Sequence, residues 1–270
     1  PAGPHLDEEE EVDALAQVVR CFDGGYGAPD PLGELETLAL ELTFADLQIV
    51  ENRLERLTKE KARLGKVANP LEPPLMERFR EQLEAGRPLR ELTLSPDEAK
   101  LSVGYAFLTS KPMIIVLNLE EGVAADAALL EAAARAGAEV VALSARVEAE
   151  LGELSDEEAA EFLAALGVAE PAVGRMIRAA YGALELQSFF TVGPDECRAW
   201  TVRRGSAAPV AAGVIHSDLQ RGFIRAEVTA YDDLIAAGDM AAAKAANKVR
   251  LEGKAYVVQD GDILEIRFSV

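Results

Sequence analysis

The feature that most constrains the fold of this chain is a strand–helix–strand succession in its middle third. Residues 112–117 form one dense apolar run and residues 139–143 form another, with an alanine-rich helical segment at 126–136 between them. Short continuous apolar runs are typical of strands buried in a parallel sheet, and a helix between two of them is the usual parallel crossover. The sequence therefore predicts an α/β fold on a parallel sheet, to which Ala14–Phe22 adds another buried strand.

A long helix followed by a shorter one is the second organising feature. Over residues 34–64, apolar residues recur every three or four positions, and the stripe moves to a second face further along. A helix of that length spans about 46 Å. A returning helix over 75–83 is closed by Gly86 and Pro88. The pattern predicts an inserted antiparallel helical hairpin, or coiled coil, over residues 33–95; an ordinary packed helix pair is the alternative.

The periodicity changes after Leu186, where short runs of strand composition alternate with turn residues and one helix, near 232–247. The strand-like runs cover residues 189–191, 197–202, 223–228, 255–258 and 263–268. A small mixed β-sheet crossed by a helix accounts for this order. We therefore predict four segments: a partial α/β domain at 1–32, the hairpin at 33–95, the rest of the α/β domain at 96–185, and a C-terminal β domain at 186–270.

The net charge of −20 is unevenly distributed between these segments. Residues 1–185 hold 17 Lys+Arg against 36 Asp+Glu, whereas residues 186–270 hold 10 against 11. Because an acidic surface repels a phosphate backbone, we expect any RNA contact to fall on the C-terminal part. Its candidate contacts are Arg203, Arg204, Arg221 and Arg225, with Arg198 beside them in the sequence. A solvated face of mixed charge is the alternative.

Several classes of protein are disfavoured by composition. No apolar run approaches the ~18 residues of a membrane span, and no secretion signal opens the chain. Cys21 and Cys197 lie far apart, which favours two reduced thiols in a cytoplasmic protein. The sequence contains no Cys/His cluster of the kind that forms a metal site. His216 stands next to Ser217 and Asp218, but sequence neighbours rarely form a catalytic triad, so we interpret it as a loop or capping residue.

Polar motifs follow two of the predicted strands. Asn118-Leu119-Glu120-Glu121 comes after the strand at 112–117, and Ser144-Ala145 comes after the next one. The carboxyl ends of parallel strands are where ligand crevices form in such sheets. Each motif alone is weak evidence, but together they favour a pocket for a nucleotide base. The chain contains no G-x-x-x-x-G-K-[ST] phosphate loop, so no catalytic residue and no metal ligand can be assigned.

Long blocks of the sequence resemble the YchF/Obg-like ATPases. The blocks are Thr191–Gly205, Ala211–Asp218, Arg221–Val228 and Leu251–Asp262, with shorter matches back to Val12. The resemblance implies an incomplete P-loop G domain, an inserted helical hairpin and a C-terminal TGS domain of ubiquitin-like β-grasp fold. It places Asn118 and Glu121 on the family's Asn-x-x-Glu base motif, Leu119 at a backbone contact to the base, and Ser144 and Ala145 on the final base-supporting motif.

The resemblance also sets the expected activity. In the family, the Asn-x-x-Glu base motif goes with acceptance of ATP, often in preference to GTP. The resemblance also implies Mg²⁺ as the cofactor of the complete protein. The family's phosphate loop and magnesium ligands precede the segment that begins at Val12, so we expect this chain alone to be inactive. The TGS domain and hairpin resemble surfaces that bind ribosomes or structured RNA. A regulatory NTPase is thus one hypothesis; the alternative is a non-catalytic module that docks on ribosome, RNA or protein.

Overall fold

A computed structural model describes residues 12–25, 27–137, 139–193 and 196–269. The chain divides into two compact units, Pro1–Ala183 and Leu184–Val270. Residues 1–11 of the predicted segment 1–32 lie outside the described residues. Within the part that the structure describes, no helix combines the length and apolarity needed to cross a membrane.

The first unit is built on three parallel strands, β1 (Leu15–Cys21), β2 (Met113–Leu119) and β3 (Glu139–Leu143), in the order β1-β2-β3. The predicted parallel sheet is therefore confirmed. One expectation was wrong: β1 is not buried on both faces. Val19 is fully buried, but Val18 is 63% exposed. The reason is position, because in the described part of the chain β1 pairs with β2 alone and stands at an edge of the sheet.

The first helix, α1 (Pro31–Leu64), is one continuous element with two packing environments. Its first half contributes Leu35 and Leu42 to the core of the three-stranded sheet. Its second half contributes Val50 and Leu57 to a different core, which it forms with α2 (Glu72–Glu84) and the segment that follows. The shift of the apolar stripe reflects this change of partner. The predicted hairpin boundary at residue 33 lies two residues inside the start of α1, and the change of packing partner comes further along the helix.

A buried carboxylate fastens the middle of α1 to the sheet. Asp46 is fully buried and accepts hydrogen bonds from Leu108 N (2.9 Å), Thr109 N (2.8 Å) and Thr109 Oγ1 (2.6 Å). These residues form the 3-10 turn Leu108–Ser110, which leads into β2. Burial raises the pKa of Asp46, and the three hydrogen bonds oppose that shift. The contact sets the position of α1 relative to the start of β2.

The described part of the first unit also contains the helices α3 (Pro96–Val103), α4 (Ala127–Ala136), α5 (Ala145–Leu151), α6 (Asp156–Leu166) and α7 (Ala172–Ala183). Capping boxes open α3 and α6, in which Ser95 pairs with Glu98 and Ser155 with Glu158. The sequences Ser95–Glu98 and Ser155–Glu158 both fit the capping-box pattern, whereas sequence analysis did not predict the short α5. It begins directly after β3, so its start coincides with the predicted base-supporting motif.

The second unit has a mixed sheet of β4 (Leu186–Val192), β5 (Cys197–Arg203), β6 (Phe223–Ala230), β7 (Arg250–Glu252) and β8 (Asp262–Phe268). The order is β5-β4-β8-β6-β7, and β4 pairs in parallel with β8 while the other pairs are antiparallel. The predicted strand at 255–258 was wrong. That segment makes one isolated bridge, Ala207 to Val257. Val258 is fully buried in the core and Tyr256 packs against it, whereas Val257 is exposed.

Four helices accompany this sheet: α8 (Ala208–Ile215), α9 (Ser217–Arg221), α10 (Tyr231–Ala237) and α11 (Met240–Ala245). The single helix predicted near 232–247 is therefore broken in two. Gly238 has a φ of +89°, which a helix cannot continue through, and the Asp239 side chain caps α11. Alanines of α8 pack with Phe189 and Val202 in the core of the unit.

Candidate functional site

The candidate site lies where the carboxyl ends of β2 and β3 meet. Asn118, near the end of β2, stands opposite Leu143 of β3 in the register of the sheet. Its Oδ1 accepts a hydrogen bond of 3.0 Å from the backbone N–H of Ala145. Ser144, which occupies the N-cap position of α5, makes no side-chain capping bond. Asn118 therefore binds one of the free N–H groups at the start of α5 and joins the two predicted motifs directly.

This hydrogen bond also orients the carboxamide of Asn118. Because Oδ1 faces a backbone donor, the Nδ2 amino group is directed away from Ala145. No described residue accepts a hydrogen bond from Nδ2. Asn118 is half-buried, so this donor lies at the wall of the site rather than in open solvent. It is available to a ligand that presents a hydrogen-bond acceptor.

A cavity of about 650 Å³ adjoins this hydrogen bond, and its volume is within the usual range for a small-molecule site. All five predicted base-contacting residues line it: Asn118, Leu119, Glu121, Ser144 and Ala145. Leu119 is buried, whereas Glu121 and Ala145 are exposed. A second cavity of about 460 Å³ shares the 119–122 loop and Ser144 with the first. The structure thus brings the two predicted motifs to one place.

A tight turn presents Glu121 to the cavity. Val123 N donates to Glu120 O at 3.1 Å, which closes a turn over residues 120–123. Gly122, the third residue of this turn, has a φ of +72°, a conformation that favours glycine. The turn therefore sets the direction in which Glu121 leaves the end of β2.

Sequence analysis missed a residue that shapes the opposite wall. Arg20, on β1, donates through Nη1 to three carbonyl oxygens: those of Phe22 (2.8 Å), Asp23 (3.3 Å) and Gly27 (3.1 Å). Its backbone N–H donates to Glu34 Oε2 at 2.9 Å. One guanidinium thus holds the loop after β1 folded, and Phe22 and Gly24 from this loop line the cavity. The signal in the sequence was an arginine shortly before a Gly-rich turn.

The four arginines proposed for RNA contact do not form one patch. Arg203 of β5 lies opposite Leu186, at the start of β4. Arg225 of β6 lies opposite Arg267 of β8, and the pairing of β4 with β8 places Arg267 beyond the far end of β4. This offset of eight positions corresponds to about 26 Å along the strands. Arg204 follows Arg203 and Arg221 precedes Arg225, so the residues form two pairs. All four are exposed, and Arg221 forms an ion pair with Asp218. Closeness in sequence therefore does not bring these four side chains together on one surface, and their contact with RNA stays a prediction.

The remaining candidates have structural explanations. His216 is the N-cap of α9, and its Nδ1 accepts from Asp218 N at 3.1 Å, which confirms the predicted capping role. Trp200 of β5 is half-buried against the core of the second unit, and its Nε1 donates to Thr191 Oγ1 at 2.9 Å. Among the described residues, no group of three or more His, Cys, Asp or Glu is placed to hold a metal ion.

Comparisons with known proteins agree over nearly the whole chain. Residues 186–269 match the family model YchF-GTPase_C, described as a protein of unknown function (DUF933). The ribosome-binding ATPase YchF of Bacillus subtilis is 43% identical over 98% of this chain and 75% of that protein. The ribosome-binding ATPase YchF of Haemophilus influenzae is 44% identical over 96% and 74%.

Plant and fungal proteins extend the similarity. Obg-like ATPase 1 of Oryza sativa subsp. japonica is 35% identical over 98% of this chain and 70% of that protein. The structure of the Schizosaccharomyces pombe YchF GTPase superposes with a TM-score of 0.85 at 31% identity, over 97% of this chain and 74% of that one. Identity at this level over such coverage establishes common descent as well as a common fold. The chain belongs to the YchF family.

Proposed function

We propose that this chain supplies the base-recognition part of a purine-nucleotide site in a YchF-type P-loop NTPase that accepts ATP or GTP. The observation that carries this proposal is the hydrogen bond from Ala145 N to Asn118 Oδ1. It joins the two loops that follow β2 and β3, leaves the Nδ2 donor of Asn118 free for a ligand, and borders a cavity of suitable size.

The chemistry of the cavity suits a purine ring. Asn118 Nδ2 donates to a ring nitrogen acceptor, and the Glu121 carboxylate accepts from an N–H donor on the base. Leu119, Ser144 and Ala145 supply backbone groups and apolar contact. Adenine offers its exocyclic amino group to a carboxylate, and guanine offers N1–H and its own amino group. Both bases therefore satisfy Glu121, so the proposal covers ATP and GTP alike.

Hydrolysis is not assigned to residues of this chain. Its sequence has no G-x-x-x-x-G-K-[ST], and phosphoryl transfer needs that loop to hold the phosphates. In P-loop enzymes Mg²⁺ is bound largely through the nucleotide phosphates, and no described residue is assigned to it. We infer that the ATPase activity named for the bacterial relatives requires a phosphate-binding segment in addition to these 270 residues.

We further propose that the protein associates with the ribosome or with structured RNA. The support is that the bacterial relatives are ribosome-binding ATPases, together with the near-neutral charge of the second unit. We assign the second unit to a TGS domain of β-grasp type and the α1–α2 pair to a helical hairpin. If nucleotide binding fails, a non-catalytic module that docks through these surfaces on ribosome, RNA or protein is the second candidate.

Equilibrium binding of ATP and GTP to the 270-residue chain tests the base site. Both nucleotides should bind weakly, with dissociation constants above the micromolar range, because base contacts alone leave the phosphates unheld. Amide signals of residues 118–121 and 144–145 should shift on titration. Asn118→Asp is the informative variant, since it keeps an acceptor for Ala145 N but lacks the Nδ2 donor, and it should abolish the shifts.

The control is Asn69→Asp, a change of the same chemistry in the linker between α1 and α2, which should leave the titration unaltered. Micromolar ATP affinity for this chain would contradict the expectation that phosphate contacts dominate. Shifts that persist in Asn118→Asp would remove Asn118 from the site.

A further inference from the structure

A third cavity, of about 220 Å³, lies at the edge of the sheet where the strands of the first unit begin. This edge is opposite the one that carries Asn118. Residues of α1, of the 3-10 turn Leu89–Glu91 and of the end of α4 form its wall. Its charged lining consists of Arg87, Arg90, Arg135 and Glu91, and we refer to it as the arginine cavity. Residues 1–185 hold 17 Lys+Arg against 36 Asp+Glu. The cavity therefore has a local excess of positive charge within a segment whose net charge is strongly negative.

Arg90 is the innermost charge of the arginine cavity. Its Nη2 donates to Ala136 O at 2.6 Å, the carbonyl of the last residue of α4. Burial lowers the pKa of Arg90, because a partly buried guanidinium loses hydration. No described carboxylate lies within ion-pair distance of it. Capping of α4 uses one nitrogen, so Nε and Nη1 have no protein acceptor in the described part of the chain.

The other two arginines are also poorly neutralised. Arg87 is exposed, and its side chain makes no ion pair or hydrogen bond with any described residue. Arg135 has one partner, Glu131, at 4.0 Å, and both side chains are largely exposed. Exposed pairs at that separation contribute little, so both guanidinium groups are free to turn toward a ligand. Among the described residues that line the cavity, Glu91 is the one carboxylate.

We propose that the arginine cavity binds a small phosphate-bearing anion, of the size of orthophosphate or pyrophosphate. Guanidinium groups match the geometry of phosphate oxygens and form charge-assisted hydrogen bonds with them. The volume of about 220 Å³ is below the ~300 Å³ at which sites for drug-sized ligands begin, which excludes a whole nucleotide. The ligand is therefore a free inorganic anion or the phosphate end of a larger molecule.

Calorimetric titration of pyrophosphate into the 270-residue chain, at constant ionic strength, tests the proposal. We expect saturable one-to-one binding that Arg87→Ala with Arg135→Ala weakens about tenfold or more. Glu91→Gln should tighten binding, because it removes the opposing carboxylate. Arg63→Ala is the matched control, since Arg63 is an exposed arginine of α1 without an ion pair to a described residue. All of these side chains are exposed, so the variants should fold.

Two further measurements locate the bound ligand and identify its type. Bound pyrophosphate should slow amide exchange over residues 87–91, and adenosine, which has no phosphate, should not displace it. Equal binding of AMP and orthophosphate would support the phosphate end of a larger molecule as the ligand, and preference for pyrophosphate would support the free anion. The proposal is overturned by an absence of saturable heat, by an equal loss in Arg63→Ala, or by displacement with adenosine.

Discussion

At the scale of single residues, the two side chains that shape the candidate base site act through the backbone of neighbouring loops. Asn118 accepts from Ala145 N, and Arg20 donates to three carbonyl oxygens of the loop after β1. Sequence reasoning found Asn118 because it belongs to a motif at the end of a strand. It missed Arg20 because the acceptors are backbone carbonyls, which every residue type provides, so an arginine before a Gly-rich turn does not by itself indicate these hydrogen bonds.

Replacement of Arg20 should loosen this loop. In Arg20→Ala the carbonyls of Phe22, Asp23 and Gly27 lose their shared donor, so amide exchange over Phe22–Gly25 should accelerate. The free energy of unfolding should fall by about 1–3 kcal/mol, as measured by urea denaturation. Arg20→Lys retains one donor group and should lie between the wild type and the alanine variant. Unchanged exchange in Arg20→Ala would show that the loop is held by other contacts.

At the scale of elements, α1 shows what the sequence predicts and what it does not. Its length, its capping residue Asp30 and its end at Gly65 follow from local chemistry, and the structure places its ends within three residues of those expected. Its partners depend on the whole fold. Leu35 packs on the sheet and Leu57 packs on α2, although both belong to stripes of the same appearance. Likewise, the composition of residues 255–258 indicated a strand, whereas the strand forms at Arg250–Glu252.

An ion pair between α1 and α2 leads to a prediction about stability and pH. Arg53 donates to Glu72 through Nε (2.7 Å) and Nη2 (2.8 Å), and Tyr105 donates to the same carboxylate. The hydrogen bonds from Arg53 lower the pKa of Glu72 below its usual 4.5. A lowered pKa stabilises the folded state above pH 4.5, and this stabilisation is lost as the pH falls through the folded value.

Glu72→Gln should therefore lower the free energy of unfolding by about 1–3 kcal/mol at pH 7, since it removes the anionic partner of Arg53 and leaves only a neutral acceptor. The difference from wild type should shrink as the pH falls below 4.5. Urea denaturation at several pH values measures both effects. Glu55→Gln is the matched control, because Glu55 and Lys59 form an exposed pair on α1, and it should change nothing measurable. A deficit that does not vary with pH would argue against ionisation of Glu72 as its cause.

At the scale of the whole molecule, the uneven charge distribution and the arrangement of arginines in the second unit determine how RNA binding should respond to mutation. Arg203 and Arg204 lie about 26 Å along the sheet from Arg225. Each pair would then contact different phosphates. Composition predicted which unit carries the basic residues, but only the strand register could show that they form two groups.

Ribosome co-sedimentation over a range of salt concentrations tests this arrangement. Arg203→Ala with Arg204→Ala, and Arg221→Ala with Arg225→Ala, should each weaken association and reduce the salt slope by about one for each phosphate that the protein no longer neutralises. Since the pairs are far apart, the four-site variant should show the sum of the two effects. Lys254→Ala, at an exposed position of the same unit, is the control. Association that is unchanged in all variants would leave the arginines as a solvated face.

The position of β8 in the second sheet has a consequence for the order of folding. β8 is the last of the five strands in the chain, yet it lies between β4 and β6. The β4–β5 hairpin and the β6–β7 pair therefore have no direct pairing with each other until β8 inserts between them. During synthesis this sheet cannot be completed strand by strand. A nascent chain that has not yet released residues 262–268 carries two half-sheets with open edges, and such edges need protection from aggregation until the central strand arrives.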